Sequence, residues 1–272
     1  MENNSINYDD HETVMKMIIE SGELPPVLYK YTTFDTGLKI IESGKIRFSV
    51  PTDFNDPFDC QLTIDTDNSD DELDLYVELL AKERGLTEKQ KTEFRTKIQD
   101  SDYRFKLTNK AVKEATQELG ISCFSLQQDN LLLWAHYAEK HNGIVLKLDI
   151  LKDTSFFMTP YPINYIIQYP IFNDVRDDYF KGGGYLTKIL VETKSLDWQY
   201  ENEVRIMKQG RGDYHINKEA ITDVIFGCQV FDSEKSKFVK IAQDNGWNHL
   251  KFTSAKKKDW QFGLDFSEYK TT

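Results

Sequence analysis

Segment 131–149, LLLWAHYAEKHNGIVLKLD, constrains the fold most because its hydrophobic period changes halfway along. Its first half places apolar residues every three or four positions, which predicts a helix capped by Asp129 or Asn130. The pair Asn142-Gly143 ends that pattern, and the residues after it alternate as those of a β-strand do. We therefore expect a helix that leads directly into a sheet, and such junctions often line pockets.

Five side chains near this junction carry hydrogen-bonding groups, namely Trp134, His136, Tyr137, His141 and Asn142. A segment with a purely structural role does not need so many polar groups among its apolar residues. We therefore expect the aromatic and histidine side chains among them to line a ligand site. Core packing is the alternative for Trp134 and Tyr137, and each histidine can equally be a hydrogen-bonded wall residue.

Composition and charge narrow the class of protein. The chain has 272 residues, of which 39% are hydrophobic and 29% charged, and its formal net charge is −11. That charge argues against nonspecific binding of nucleic acid or anionic membranes by the whole surface, although a local basic cleft is compatible with it. Cys60, Cys123 and Cys228 are scattered without a CxxC spacing, which predicts a reducing, cytoplasmic compartment. No apolar run approaches the roughly 18 residues of a membrane span, and the oligomeric state stays open.

The rest of the pattern predicts one α+β domain over residues 1–272. Strands are expected at 27–32, 45–49, 121–125, 198–206, 220–226 and 248–253, and helices at 34–43, 185–192 and 232–245. Segment 67–117 differs because it is highly charged and has helical period. It predicts three amphipathic helices, which would form an insertion of about 67–118 outside the sheet, with the charges on a solvated face.

Segment 51–59, PTDFNDPFD, combines turn-forming residues with two phenylalanines. Asp, Asn and Pro specify tight turns, whereas the aromatic rings are expected to pin the loop to a core. One interpretation is a loop that presents Asn55 and Asp56 to a ligand. The other is a folded loop with a structural role alone.

Five short motifs resemble those of a large, mostly bacterial family of domains of unknown function. The motifs are LYKY at 28–31, FNDPFD at 54–59, CFS at 123–125, WAHYAEKHNG at 134–143 and YENEVRI at 200–206. Each motif is weak by itself, but the set is specific and spans about residues 27 to 227. Because the family carries no established activity, this resemblance implies a shared pocket rather than a named reaction.

The order of the motifs is also similar to that of the ADP-ribosyltransferase superfamily, especially its branches that modify nucleic acid. The first part is LYKYTT, a helix ending at Gly44 and the strand KIRFS, and the last part is NEVRI followed by ITDVIFG. The chain departs from those families at Lys30, where they usually place His or Arg. The resemblance implies a mixed, largely antiparallel sheet core, NAD as co-substrate and no metal. It also implies a toxin or phage-defence effector that acts on nucleic acid or protein.

That resemblance makes Glu203 the candidate catalytic residue. Cleavage of the bond between ribose and nicotinamide passes through an oxocarbenium-like state, which a nearby carboxylate stabilises. Alternation along the late strand would place Glu203 and Arg205 on the face opposite Val204 and Ile206, and Arg205 or Lys30 would keep the carboxylate ionised. An exposed cross-strand ion pair is the alternative for Glu203 and Arg205.

The other parts of NAD also have candidate partners in the sequence. Aromatic side chains can stack on the nicotinamide ring, and the candidates are Tyr29, Tyr31, Trp134 and Tyr137. Cations can bind the pyrophosphate, and the candidates are Lys30, Arg47 and Arg205. If these assignments hold, one cleft should collect Tyr29, Lys30, Asn55, Trp134, His136, His141, Glu203 and Arg205. We further expect Glu203→Gln to leave folding nearly unchanged while it slows NAD cleavage.

Two other functions fit the same residues. One is a noncatalytic nucleotide-binding or interaction module of a defence system, which would use the pocket without turnover. The other is a hydrolase that uses His136 and His141. Their spacing of five differs from the four of an HExxH zinc motif, and no Cys or Glu completes a ligand set, so the hydrolase is the weaker alternative.

Overall fold

The computed structural model describes residues 11–158, 160–182 and 184–270. Its α-helices are α1 (His11–Glu20), α2 (Phe34–Ser43), α3 (Asp70–Arg84), α4 (Glu88–Ile98), α5 (Ser101–Glu118), α6 (Leu131–His136), α7 (Arg176–Phe180), α8 (Tyr185–Glu192) and α9 (Asp232–Asp244). Its strands are β1 (Val27–Thr32), β2 (Lys45–Phe48), β3 (Thr63–Asp65), β4 (Leu119–Ser125), β5 (Ile144–Asp149), β6 (Pro160–Pro162), β7 (Asn164–Ile166), β8 (Ile171–Asn173), β9 (Thr193–Ser195), β10 (Glu203–Gln209), β11 (Gly212–His215), β12 (Ile221–Phe226), β13 (Lys251–Lys257) and β14 (Leu264–Glu268).

The largest sheet has eight strands in the order β14-β13-β12-β5-β1-β4-β10-β6. Its central pairs β1–β4, β1–β5 and β5–β12 are antiparallel, whereas β12–β13 is parallel. Three two-stranded sheets, β2–β11, β3–β8 and β7–β9, accompany it. The predicted α+β class and the large, mostly antiparallel sheet are confirmed.

The chain divides into two compact units. The first, which we call the sheet unit, contains Met1–Ser49, Gly120–Ile163 and Asp197–Thr272, and it holds the eight-stranded sheet. The second, the helical unit, contains Val50–Leu119 and Asn164–Leu196. It is wider than the insertion of about 67–118 that the sequence predicts, because 164–196 belongs to it as well.

The two faces of the large sheet bury different residues. Leu28, Leu146 and Val224 point to the first face, where they join the main core with residues of α2 and α9. Val145 and Ile225 alternate with them and point to the second face, where they pack with buried Trp134 of α6 and with Ala138, which follows that helix. Because side chains alternate along a strand, each strand therefore supplies both faces.

Local signals explain why the predicted helix α2 has the bounds observed. Thr33 precedes it in an extended conformation, and its side chain accepts a hydrogen bond from the N–H of Thr36. Gly44 follows it with φ of 65°, and its N–H donates to the carbonyl of Ile40. A glycine adopts this left-handed conformation without the cost that a Cβ imposes.

The helical unit confirms the three helices expected in 67–117. A capping box between Ser69 and Glu72 begins α3, and Gly85 ends it with φ of 64°. The unit has its own small core of Leu73, Val77, Ile98 and Val175. Beside that core Arg104, only 6% exposed, donates from Nε to Asp174 Oδ2 at 2.9 Å and from Nη2 to the carbonyl of Thr66 at 2.6 Å.

Three predicted boundaries were wrong. The late strand does not begin at Trp198, because Leu196–Glu201 is a 3-10 helix and Asn202 follows it with φ of 43°. The helix in 131–149 ends at His136, since three left-handed residues come soon after it. The last predicted strand, 248–253, is shifted to β13, because Leu250 closes a turn onto the carbonyl of Trp247 at 3.3 Å.

No helix within the described residues is long and apolar enough to cross a membrane.

Candidate functional site

A buried ion pair between Glu203 and Arg205 lies near the start of β10. Arg205 donates from Nε to Glu203 Oε1 at 2.8 Å and from Nη2 to Oε2 at 3.3 Å. Glu203 is 5% exposed and Arg205 is 0% exposed. Val204 and Ile206 alternate with them and join the first-face core. Both charged side chains therefore point to the second face, and burial excludes the alternative of an exposed ion pair.

A second buried carboxylate, Glu201, lies two residues before Glu203. Its Oε1 accepts a hydrogen bond from Tyr137 Oη at 2.7 Å, and its backbone carbonyl accepts one from Ser125 Oγ at 2.7 Å. Asn130 Nδ2 also donates to the carbonyl of Tyr200 at 2.6 Å. These bonds dock the 3-10 turn before β10 onto α6 and the end of β4. The WAHYAEKHNG and YENEVRI motifs therefore meet in space.

The aromatic residues Tyr29, Tyr31 and Trp134 also lie on the second face. Tyr31 packs edge-on against Trp134 with 5.4 Å between ring centroids, and its hydroxyl donates to the carbonyl of Gln127 at 2.9 Å. Trp134 is fully buried, as core packing requires. Tyr29 is only half-buried. Burial, followed by the charge of Asp129, raises the pKa of the Tyr29 hydroxyl. Tyr29 and Tyr31, both half-buried, are therefore more accessible to a ligand than the fully buried Trp134.

Lys30 lies on the opposite face of the sheet from Tyr29, Glu203 and Arg205, so the predicted convergence does not include it. Its Nζ donates to Ser122 Oγ at 2.8 Å and to the carbonyl of Cys123 at 3.2 Å, and it lies 4.9 Å from the centroid of the Phe124 ring. Burial lowers the pKa of its ammonium group. The physical reason is the alternation of β1, which directs adjacent side chains to opposite faces.

The three other predicted ligand-binding residues are Arg47, Asn55 and Asp56. Arg47 is exposed on the β2–β11 ribbon, where its Nη1 lies 3.3 Å from Asp213 Oδ1. Asn55 and Asp56 belong to the helical unit. Asp56 Oδ1 accepts a hydrogen bond from the N–H of Phe58 at 2.9 Å, which is the turn-forming bond typical of Asp. The contacts of Asp56 therefore agree with the structural alternative for this loop.

The two histidines of the junction have different surroundings. His136 is exposed, and its ring lies 6.2 Å from that of Tyr137 and 6.5 Å from that of Trp198. The ring of His141 instead stacks on Trp134 with an interplanar angle of 9° and a centroid distance of 6.1 Å. Burial, and then the charge of Lys257, lowers the pKa of His141.

The backbone that carries His141 is strained. Glu139, Lys140 and His141 have φ of 50°, 54° and 70°, so three consecutive residues other than glycine are left-handed. Such residues cost on the order of 1 kcal/mol each and cluster at functional sites. Gly143 and Gly227 allow this path, since a Cβ at either position would lie within 2.3 Å of the carbonyl oxygen of Thr32 or His141. His141 is thus held in place by close backbone packing.

Some residues of this region were not among the candidates that the sequence predicted. Glu201 is one, although its position inside YENEVRI beside Glu203 was a signal. Others surround a cavity of about 650 Å³ that is lined by His141 together with Leu131, Cys228, Lys257, Lys258, Asp259, Trp260, Gln261, Phe262, Gly263 and Leu264. The lysines next to Trp260 and Phe262 in KKKDWQFG were a signal for that cavity.

We find no candidate metal-binding site in the part of the chain that the structure describes. No group of three or more His, Cys, Asp or Glu side chains there is arranged to hold a metal ion.

Comparison with known protein families, with characterised proteins and with solved structures gave no significant match. Function therefore has to be inferred from the geometry and chemistry of the site itself.

Proposed function

We propose that the chain is a cytoplasmic, NAD-utilising enzyme similar to ADP-ribosyltransferases, with Glu203 as its catalytic carboxylate. The observation that carries the proposal is the buried, hydrogen-bonded pair of Glu203 and Arg205. Burying a charged pair costs desolvation energy that its mutual attraction often fails to recover. A pair kept at that cost supports a role in chemistry, and Arg205 places a cation directly beside the carboxylate.

Each role in the proposed reaction has a residue on the second face. Glu203 would stabilise the positive charge that develops on the ribose when the bond to nicotinamide breaks. Tyr29 is half-buried on β1, which lies two strand positions from β10 in the sheet. At ordinary strand spacing the two strands are about 10 Å apart. Tyr29 can therefore pack against the nicotinamide ring of an NAD molecule bound at Glu203. Tyr137 and Glu201 would orient the turn that carries Glu203. A nucleic acid or a protein would accept the ADP-ribose.

The experiment is incubation with NAD labelled in the nicotinamide ring, with and without nucleic acid or protein acceptors. Release of labelled nicotinamide by the wild type and its loss in Glu203→Gln support the proposal. Glu42→Gln is a matched control because Glu42 is exposed on α2, so this variant should keep the wild-type rate. If the wild type releases no nicotinamide with water or any acceptor, the enzyme proposal is wrong.

A noncatalytic nucleotide-binding module is the second candidate, and one observation favours it. Both carboxylate oxygens of Glu203 accept hydrogen bonds from Arg205, which is the geometry of a structural ion pair. A module of this kind would bind NAD without cleaving it. Calorimetric binding of NAD by a wild type that releases no nicotinamide would select this candidate over the enzyme.

A further inference from the structure

The cavity beside His141 has the size of a small-molecule site. Its volume is about 650 Å³, within the range of roughly 300–1,000 Å³ that is usual for ligand pockets. Leu131 and Leu264 give it apolar walls, and Cys228 and His141 line the side next to the end of β12. It belongs entirely to the sheet unit.

Two aromatic side chains at this cavity are fully open to water. Trp260 is 98% exposed and Phe262 is 100% exposed, and both lie in the loop between β13 and β14. Large apolar rings exposed together mark an interaction site more often than chance exposure does. The loop has a defined conformation, since the N–H of Lys258 donates to the carbonyl of Gly263 at 3.1 Å. The rings are therefore presented on a fixed support.

The cavity also has a cation available for an anionic group. Lys258 lies 4.0 Å from Asp265, whereas Lys257 forms no ion pair with the residues that the structure describes. Lys257 lies close enough to act on two lining groups: burial, and then the charge of Lys257, lowers the pKa of His141, whereas burial raises the pKa of Cys228 against the opposing effect of Lys257. Asp259 is the carboxylate in the lining, so an anion would have to bind on the Lys257 side.

His141 adds a polar group whose position is set by the backbone. The N–H of Gln229 donates to the carbonyl of His141 at 3.1 Å, and the ring rests on Trp134. Its Nδ1 is buried and lacks a hydrogen-bond partner in the described part of the chain. The His141 residue also lines the cavity, so the part of its ring that faces the cavity can contact a ligand there.

We propose that this cavity binds a nucleoside phosphate whose base stacks on Trp260 or Phe262 and whose phosphate pairs with Lys257. Aromatic platforms beside a cation are the usual means of holding bases without reading their sequence. The ligand can be a free nucleotide or a nucleotide within a single strand, because both present the same chemistry. The ring edge of His141 would contact the sugar or the base.

This site is distinct from the one around Glu203. Lys257 lies on β13 and Glu203 on β10, which are five positions apart in the sheet, or about 24 Å at ordinary strand spacing. A mononucleotide is too short to contact both residues. Binding at Lys257 is therefore independent of whether Glu203 cleaves NAD.

The test is calorimetric titration of the full chain with AMP, adenosine, inorganic phosphate and a short single-stranded oligonucleotide, with tryptophan fluorescence as a second readout. AMP is expected to bind at least about tenfold more tightly than adenosine or phosphate alone, since each of these lacks one of the two contacts. Binding should also quench the fluorescence, because Trp260 is fully exposed. An oligonucleotide that binds much more tightly than AMP identifies a strand as the source of the nucleotide.

Matched variants separate this site from general charge or hydrophobicity. Trp260→Ala and Lys257→Ala should each weaken binding of AMP by about tenfold or more. Lys256→Ala removes a neighbouring lysine that points to the other face of the sheet, and Phe231→Ala removes a ring that is 73% exposed on another part of the sheet unit. Neither control should change affinity by more than about twofold. Equal losses in Lys256→Ala and Lys257→Ala, or no binding of AMP or oligonucleotide, would overturn the proposal.

Discussion

Tyr137 Oη donates a hydrogen bond to Glu201 Oε1 at 2.7 Å across 64 residues of sequence. Glu201 is only 4% exposed, so its carboxylate depends on partners inside the protein. The bond connects the end of α6 with the 3-10 turn that leads into β10. The position of Glu203 at the start of β10 is therefore tied to the segment 131–149.

We expect Tyr137→Phe to lower the free energy of unfolding by about 2 kcal/mol, because it removes a hydrogen bond to a buried carboxyl group. Urea denaturation followed by circular dichroism measures the change. Tyr103→Phe removes the hydroxyl of a tyrosine that is 38% exposed, and it should change stability by less than about 0.5 kcal/mol. Equal stability of Tyr137→Phe and the wild type would show that the bond contributes nothing.

The helical unit offers a comparison between a buried and an exposed arginine. Arg104 binds Asp174 and two backbone carbonyls inside the unit, whereas the side chain of Arg176 is 47% exposed and lies 3.2 Å from Asp65. Arg104→Met leaves Asp174 buried without its cation and should cost about 3 kcal/mol. Arg176→Met should cost less than about 1 kcal/mol. Thermal denaturation of both variants checks the difference, and similar losses would contradict it.

His141 should make stability depend on pH. Burial holds its pKa in the folded protein below the ordinary value of 6.5. Between the folded pKa and 6.5 the unfolded chain binds more protons, so this contribution to the free energy of unfolding rises with pH and is lost as the pH falls. The stability difference between wild type and His141→Gln should therefore favour the wild type more at about pH 7.5 than at about pH 5.

Two further measurements complete this prediction. Proton NMR titration of the histidine ring signals gives the pKa of His141 directly. The exposed His215, substituted in the same way, is the control and should alter the pH dependence little. A measured pKa of His141 at or above 6.5 would contradict the predicted pH dependence of stability.

Local structure in this chain could be read from the sequence where local signals specify it. Helices α2 and α8 have the bounds that periodicity predicts, and β1 coincides with the predicted strand 27–32. For α2 the cause is local, since Thr33 and Gly44 cap its two ends. Such caps act within a single turn and need no information from the rest of the fold.

The prediction of the site was weaker because it depends on register and on distant segments. Lys30 and Tyr29 are neighbours in sequence, yet they occupy opposite faces of β1. The late strand starts at Glu203 rather than Trp198 because the preceding turn is held by Ser125 and Asn130 from another segment. No pattern within 198–206 contains that information.

The cavity beside His141 shows the same limit. Its lining joins Leu131, His141 and Cys228 to residues between Lys257 and Leu264. The parallel pairing of β12 and β13 brings Cys228 near Lys257, and sequence periodicity does not predict which strands pair. The lysine and aromatic residues of KKKDWQFG were visible, but their neighbours were not.

The structure changes one expectation for Glu203→Gln. The sequence predicts nearly unchanged folding, but Arg205 is completely buried and bonds both carboxylate oxygens. Replacing the carboxylate by a neutral amide takes away a charge that this buried guanidinium binds, so we now expect a loss of about 3 kcal/mol in unfolding free energy. The double variant Glu203→Gln, Arg205→Met should recover part of that loss, and a urea denaturation cycle measures the coupling. Strictly additive losses would mean that the pair is not coupled.

Catalysis by Glu203 predicts a kinetic effect that this loss of stability does not explain. At a temperature where circular dichroism shows the variant to be folded, Glu203→Gln should reduce the rate of nicotinamide release by about 100-fold or more, equivalent to about 3 kcal/mol of transition-state stabilisation. NAD affinity should change much less, because the charge acts mainly on the oxocarbenium-like state. Arg205→Met tests the supporting role of the guanidinium and should lower the rate less than Glu203→Gln does. If wild type and Glu203→Gln cleave NAD at the same rate, Glu203 is a structural residue, and the carboxylate that stabilises the ribose must be sought elsewhere, first at Glu201.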